Sequence, residues 1–242
     1  MAVFTPVTFD QAQVFFDGFG LDDRLNRMTP ISEGTDNTNY LLQGAQRKYI
    51  LTIFESRVNP AHLPPIFEFT TYLDLCGIPV PRTYERPSGF LQQLLGKPAA
   101  LSSFLNGGSL AAPAAADCAD MARMLADMHL AAEKPGCPPL PENDLSLPAW
   151  QRLYQENAAV IAAQDCTAEI ETLLDKIARD WPKPGMMPAG SIHADAFPDN
   201  VFFEKGDISG IIDFYFACHD FYLYDLMLTL NAWCFDKSGA AK

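Results

Sequence analysis

The feature that most constrains the fold is a change of hydrophobic rhythm at Asn106-Gly107-Gly108. Before it, apolar residues come in short, strand-length runs separated by turn formers; after it, they recur at helical spacing. The strand-like runs are Tyr40-Leu41-Leu42, Tyr49 to Phe54, Ile78-Pro79-Val80-Pro81, Phe90 to Leu95 and Ala99 to Leu105. Two helices accompany them. One covers residues 8 to 20, with Phe9, Val14, Phe15 and Phe16 as its expected buried side. The other opens at Pro64 and Pro65, which a first helical turn tolerates, and carries Ile66, Phe69, Thr70 and Leu73 at helical spacing until Cys76-Gly77 ends it.

Beyond the glycines, residues 117–133 place Met121, Met124, Leu125 and Met128 on one face. Residues 149–163 do so with Trp150, Leu153, Tyr154 and Ile161, and residues 168–181 with Ile170, Leu173, Leu174, Ile177 and Trp181. Ala111 to Ala116 is a linker or helix start, and Lys134 to Pro148, with its five prolines, reads as an irregular surface connection. The expected fold class is α+β in two lobes: residues 1–105, an antiparallel five-stranded sheet with one main helix, and residues 106–242, mostly helical.

A chain of 242 residues can bury a sizeable core without disulfides or a structural metal. Its formal charge of −13 and lack of a Lys/Arg cluster speak against a nucleic-acid partner. Its six cysteines show no Cys-x-x-Cys spacing, as expected of free thiols in a reducing compartment. No stretch offers the roughly 20 apolar residues of a membrane span, and the N-terminus lacks the pattern of a signal peptide. The expected location is cytoplasmic, with no membrane partner.

Chemistry concentrates in His193-Ala194-Asp195-Ala196-Phe197-Pro198-Asp199-Asn200 and Ile211-Ile212-Asp213-Phe214. Phosphoryl transfer spreads charge over three equatorial oxygens, so it needs metal-binding carboxylates and amides plus a group that orients the attacking hydroxyl. His-x-Asp-x-x-x-x-Asn supplies these: Asp195 to accept the proton, Asn200 and Asp213 to hold Mg²⁺. Val201-Phe202-Phe203 and Ile208 to Ile212, joined by Glu204-Lys205-Gly206-Asp207, read as a hairpin that brings Asn200 beside Asp213. The plain alternative is that Asp and Asn only cap turns there.

These residues resemble the aminoglycoside phosphotransferase and choline kinase superfamily, relatives of the protein kinases. Glu33 to Tyr40, Tyr49 to Glu55, Gly77 to Pro81, Cys218-His219-Asp220 and Tyr224-Asp225-Leu226 narrow the resemblance to bacterial homoserine kinases. It implies an ATP- and Mg²⁺-dependent enzyme that phosphorylates L-homoserine in threonine biosynthesis and acts as a monomer or homodimer. Carried over by position, Asp195 is the base and Asn200 and Asp213 the metal ligands. Ser32, Gly34, Thr35, Asn37, Thr52 and Glu68 fall at nucleotide-binding positions, while His193, Tyr215, Asp225 and Trp233 are candidates for the acceptor side.

Two features depart from the pattern. Thr52 stands where protein kinases carry a phosphate-pairing lysine, which leaves Glu68 without that lysine; Lys48 and Arg57 flank the strand as surface charges. Homoserine kinases also continue with further helices after Leu230 to Trp233, so the expectation here is a shortened second lobe with exposed apolar surface. Another small amino alcohol, choline or an aminoglycoside, is the alternative acceptor, and an inactive nucleotide-binding protein the alternative class. His193 is expected to orient the loop rather than move protons, His129 to be a satisfied core histidine, and Cys218-His219-Asp220 to pack rather than bind metal.

Overall fold

The computed structural model describes residues 4–32, 36–55, 59–183 and 185–235. The first helix, α1 (Phe9–Asp17), starts where Thr8 and Gln11 cap each other: Gln11 N donates to Thr8 Oγ1 and Thr8 N to Gln11 Oε1. This start turns Ala12, Phe15 and Phe16 inward. Phe9 and Val14, expected on the buried side, are exposed, because a step of 100° per residue puts Val14 opposite the face that Ala12 and Phe16 define.

Five strands follow: β1 (Leu25–Pro30), β2 (Thr38–Gly44), β3 (Lys48–Ile53), β4 (Gln92–Leu94) and β5 (Lys97–Ser103), with α2 (Leu63–Leu75) between β3 and β4. They form one antiparallel sheet of order β1-β2-β3-β5-β4. The expected strand number and helix hold, but the membership differs. Leu25–Pro30 pairs with β2, whereas Ile78 to Pro81 stays irregular. Pro79 and Pro81 have no N–H to give a ladder, and the Pro79 carbonyl accepts from Ile211 N at 2.9 Å instead. Polar Asn26 and Arg27 hide the strand character of β1, which is an edge.

Side chains alternate across β3. Tyr49, Leu51 and Ile53 face α1, where Phe16 meets Tyr49 edge-on at 5.0 Å. Phe54, just past the strand, joins Ala100 against Leu63 and Phe67 of α2. The other side of α2, with Ile66, Phe69 and Leu73, enters the second core, so this helix is shared between the sheet and the helical region.

Past the glycines run β6 (Gly108–Ser109), α3 (Ala115–Ala132), α4 (Leu147–Glu156), α5 (Ala158–Ala163) and α6 (Thr167–Asp180). After them come β7 (Ala189–Ile192), β8 (Val201–Glu204), β9 (Asp207–Ile211), β10 (Cys218–Phe221) and α7 (Tyr222–Cys234). Met121, Leu125 and Met128 of α3 pack with Val201, Ile211, Phe214 and Trp233. The β8–β9 hairpin forms as expected, turning through Lys205 and Gly206, both at positive φ. β6 adds to β8, while β10 pairs with β7.

The segment before α4 is irregular but not a bare linker: His219 N donates to Pro141 O at 2.7 Å, and Asn143 Nδ2 to Asp220 Oδ2 at 2.7 Å. Leu223, Leu226 and Met227 of α7 remain exposed. Among the described residues no helix is long and apolar enough to cross a membrane.

The two glycines at the junction are not equivalent. Gly107 has φ +103°, and a Cβ there would sit 2.6 Å from the Phe203 carbonyl oxygen; a Cβ on Gly108 would meet nothing within 4 Å. Urea unfolding should show Gly107→Ala losing at least about 2 kcal/mol and Gly108→Ala changing stability by no more than about 0.5 kcal/mol. Equal effects would refute this account of the junction.

Candidate active site

Strand β7 delivers His193 into a loop that cannot pair as a strand, so its polar backbone groups need other partners. The carboxylate of Asp225, in the first turn of α7, supplies them from below: Oδ2 accepts from His193 N at 3.1 Å and Oδ1 from Ala194 N at 2.8 Å. These bonds hold Ala194 at φ +61°, a left-handed conformation that costs an alanine about 1–2 kcal/mol. At the far end of the loop, Trp233 Nε1 donates to Ala196 O at 2.8 Å.

Two further contacts fix Asp195. Its N–H donates to His193 Nδ1 at 3.1 Å, and Asn200 Nδ2 donates to both its carbonyl and its Oδ2 at 2.9 Å. Since Nδ1 of His193 accepts, the proton sits on Nε2, which donates to Ile212 O at 3.0 Å. Burial pushes the pKa of this imidazole below its ordinary value, against the pull of Asp225. A neutral ring with both nitrogens engaged and no exposure is a strut of the loop.

The hairpin brings the remaining two groups together. Ile212 N donates to Asn200 O at 2.9 Å, which sets the loop against the end of β9 and leads directly into Asp213 at φ +66°. Burial, together with the carboxylates of Asp195, Asp36 and Asp199, pushes the Asp213 carboxyl up to about 7. The sequence reading missed Asp36 and Asp199; their only signal is adjacency to Asn37 and Asn200.

This donor set fits Mg²⁺. Carboxylate and amide oxygens are hard ligands, a cation would relieve the crowding of like charge, and the Asn200 nitrogen is committed to Asp195, leaving its oxygen available. Among the described residues no group of three or more His, Cys, Asp or Glu side chains could hold a metal ion.

On the sheet side the expected nucleotide residues separate. Gly34 and Thr35, like Arg57, lie outside the described residues; Ser32 is exposed. Asn37 is buried, and its Oδ1 accepts from Glu55 N at 3.3 Å. Thr52 is buried too, donating to Asn39 Oδ1 at 2.8 Å. Asn37 thus ties the start of β2 to the residue after β3, and Thr52 ties β3 to β2, while Glu68 is exposed on α2. A polar cluster absent from the sequence reading secures the same end of the two strands: Lys97 pairs with Glu55, whose Oε1 accepts from Thr5 and Thr38 at 2.7 and 2.8 Å.

The acceptor-side candidates also move. His193, Asp225 and Trp233 are buried beneath the loop, so none lines an open wall; Tyr215 packs edge-on against Phe54 at 5.1 Å, between sheet and helical region. The open space beside the loop is a cavity of about 660 Å³ bounded by Ser109, Leu110, Phe197, Asp199 and Asn231 among others. Cys218 is buried in β10, and no metal cluster forms there. His129 is satisfied, as expected, with Nε2 2.9 Å from Asp225 Oδ2.

A family model described as "Phosphotransferase enzyme family" matches residues 27–241. Homoserine kinase of Caulobacter vibrioides is 42% identical over 99% of this chain and 75% of its own length. That of Rhizobium etli is 41% identical over 99% and 74%. Among solved structures, a spectinomycin phosphotransferase in complex with ADP and spectinomycin superposes with TM-score 0.64 at 14% identity, over 94% of this chain and 74% of its own. An ADP-bound aminoglycoside phosphotransferase gives TM-score 0.66 at 13% identity, over 93% and 76%. These two share the fold.

The raised Asp213 carboxyl carries a stability signature. Its folded-state pKa, about 7, lies above the ordinary 3.8, so the folded protein keeps a proton that the unfolded chain releases. Stability is therefore full below the lower value and is lost as pH rises toward the upper one. Urea midpoints of metal-free protein should fall between about pH 4 and pH 7 more steeply than those of Asp213→Asn. Parallel profiles would refute this, and added Mg²⁺ should raise the midpoint more at pH 8 than at pH 5.

Proposed function

The chain belongs to the phosphotransferase enzyme family and, within it, to the homoserine kinases, and from that membership we propose a division of labour among its residues. ATP donates its γ-phosphoryl group to the side-chain hydroxyl of L-homoserine, giving ADP and O-phosphohomoserine. Asp195 accepts the hydroxyl proton and aims the oxygen at phosphorus. Asn200, through its side-chain oxygen, and Asp213 would hold Mg²⁺, whose positive charge would offset the charge that develops on the phosphates. The observation that carries this reading is the Asn200 amide, which fixes the Asp195 carboxylate at 2.9 Å while its chain neighbour strand brings Asp213 alongside.

His193 does not enter the proton transfer; it braces the loop between Asp195 and Ile212. Asn37 and Asn39, bonded to Glu55 and Thr52, hold the start of β2 against the end of β3 on the nucleotide side. The acceptor occupies the cavity beside the loop, where the exposed carboxylate of Asp199 faces the ammonium group of homoserine. Six cysteines, with no disulfide among the described residues, suit the reducing cytoplasm.

Homoserine-dependent release of ADP from Mg·ATP tests the activity, with choline and an aminoglycoside as competing acceptors. Asp195→Ala should lower kcat by about 10² or more while the KM for Mg·ATP stays nearly constant. A variant that keeps its kcat would remove Asp195 from the role of base. Asp199→Asn should raise the KM for homoserine about tenfold with little change in that for ATP. An unchanged acceptor KM would place the ammonium group elsewhere.

A further inference from the structure

The cavity beside the catalytic loop has three walls, and each brings one polar side chain. Leu228, Asn231 and Ala232 stand at i, i+3 and i+4 on one face of α7, Ser109 ends β6, and Asp199 belongs to the loop itself. We propose that Asn231, together with Ser109, reads the α-carboxylate of the acceptor and so restricts phosphoryl transfer to hydroxylated amino acids. This rests on the reading of that cavity as the acceptor site.

The assignment follows from what each group can offer. An amino acid carries an ammonium and a carboxylate on one carbon. Asp199, exposed and able only to accept when ionised, suits the ammonium. It also stands close enough to Asp213 to raise its pKa, as Asp195 does, so this side of the cavity repels an anion. Among the described residues no lysine or arginine lines the space, and the donors offered to a carboxylate are therefore neutral. The lining side chains that can donate are the Ser109 hydroxyl and the Asn231 amide.

Both are unspent. Among the described residues neither has a hydrogen-bond partner, whereas the side chains of Asn37, Asn39 and Asn200 are committed to Glu55, Thr52 and Asp195. Their backbones, by contrast, are held firmly. Ser109 pairs with Phe202 of β8, the strand that starts directly after Asn200. Trp233 Nε1 fixes α7 to the loop through Ala196 O at 2.8 Å, and Asn231 lies two residues earlier on the same helix. The amide is thus carried at a set height relative to Asp195.

Three attachments then define the acceptor: its hydroxyl at Asp195, its ammonium at Asp199 and its carboxylate at Asn231 and Ser109. Leu110 and Phe197 offer apolar surface to the methylenes between. A small amino alcohol without a carboxylate keeps the first two attachments and leaves the amide and hydroxyl unmatched.

The test compares L-homoserine with 3-aminopropan-1-ol, which has hydrogen in place of the carboxylate. In ADP release by the full chain at saturating Mg·ATP, Asn231→Ala should raise the KM for L-homoserine about tenfold or more. The inhibition constant of 3-aminopropan-1-ol as a competitor should change by less than about threefold. Asn231→Asp, which sets a negative charge against the carboxylate, should raise the homoserine KM further than alanine does. An unchanged homoserine KM in Asn231→Ala, equal losses for both ligands, or an aspartate variant no worse than the alanine one overturns the proposal. If the analogue binds too weakly to the parent for an inhibition constant, the order of the aspartate and alanine variants decides by itself.

The parent and Asp199→Asn separate this claim from the reading beneath it. If the parent shows no homoserine-dependent ADP release, both fall. If it is active and Asp199→Asn raises the homoserine KM while Asn231→Ala does not, the cavity stands as the acceptor site and the carboxylate assignment alone has failed.

Discussion

A single buried carboxylate organises the functional half of this molecule. Asp225 is removed from water, a placement that is costly unless its lone pairs are used. Two backbone N–H groups of the loop after β7 donate to it, and the imidazole of His129 in α3 lies 2.9 Å away. The arrangement solves two problems at once. It satisfies donors that a loop leaving the β7 strand cannot place in a ladder, and it stabilises an alanine in a conformation that alanine avoids. Trp233 and Ile212 take further polar groups of the same segment, so the loop is tied from below, behind and beyond. Asp195 is fixed both by this tying of its neighbours and by its own hydrogen bonds to His193 and Asn200.

Above this rigid base the charge balance is deliberately poor. Asp213 sits near three other carboxylates and is largely buried, which is why its proton is retained to about pH 7. Such a cluster is unfavourable for the metal-free fold and favourable for capture of a divalent ion, the usual exchange of stability for function at a catalytic centre. The second strained residue of the site, Asp213 itself at φ +66°, shows the same exchange in the backbone. Packing absorbs the cost: Phe214, the next residue, lies on His193 at 4.3 Å and on Phe69 of α2 at 6.2 Å. Asp213 is therefore backed, through Phe214, by a helix that the sheet also shares.

How much of this could be read from the chain depended on distance along it. Asp195, Asn200 and Asp213 lie within a short stretch joined by a hairpin whose turn residues announce it, and the structure brings all three together. The sheet was visible as five short runs, yet Pro79 and Pro81 removed one and the polar edge strand Leu25–Pro30 replaced it. Read from the sequence, Asp225 and Trp233 are candidates for the acceptor side. Their real partners, His193, Ala194 and Ala196, are about thirty or more positions away, a pairing that no local pattern encodes. The same holds for Asn37 and Thr52, whose types suited phosphate contact but whose hydrogen bonds are spent on Glu55 and Asn39. The Lys97–Glu55 pair was invisible for the same reason.

The three tryptophans divide the molecule into two optical territories. Trp233 is enclosed, with its indole N–H bonded to the carbonyl of Ala196, one residue past Asp195. Trp150 and Trp181 meet edge-on at 5.5 Å in the outlying helical layer of α4 and the end of α6, where little else is buried. A buried, hydrogen-bonded indole and a half-buried pair differ in emission colour and in access to quenchers. The chain thus carries its own fluorescent gauge of the loop after β7, and a separate one for the peripheral helices, with no label attached.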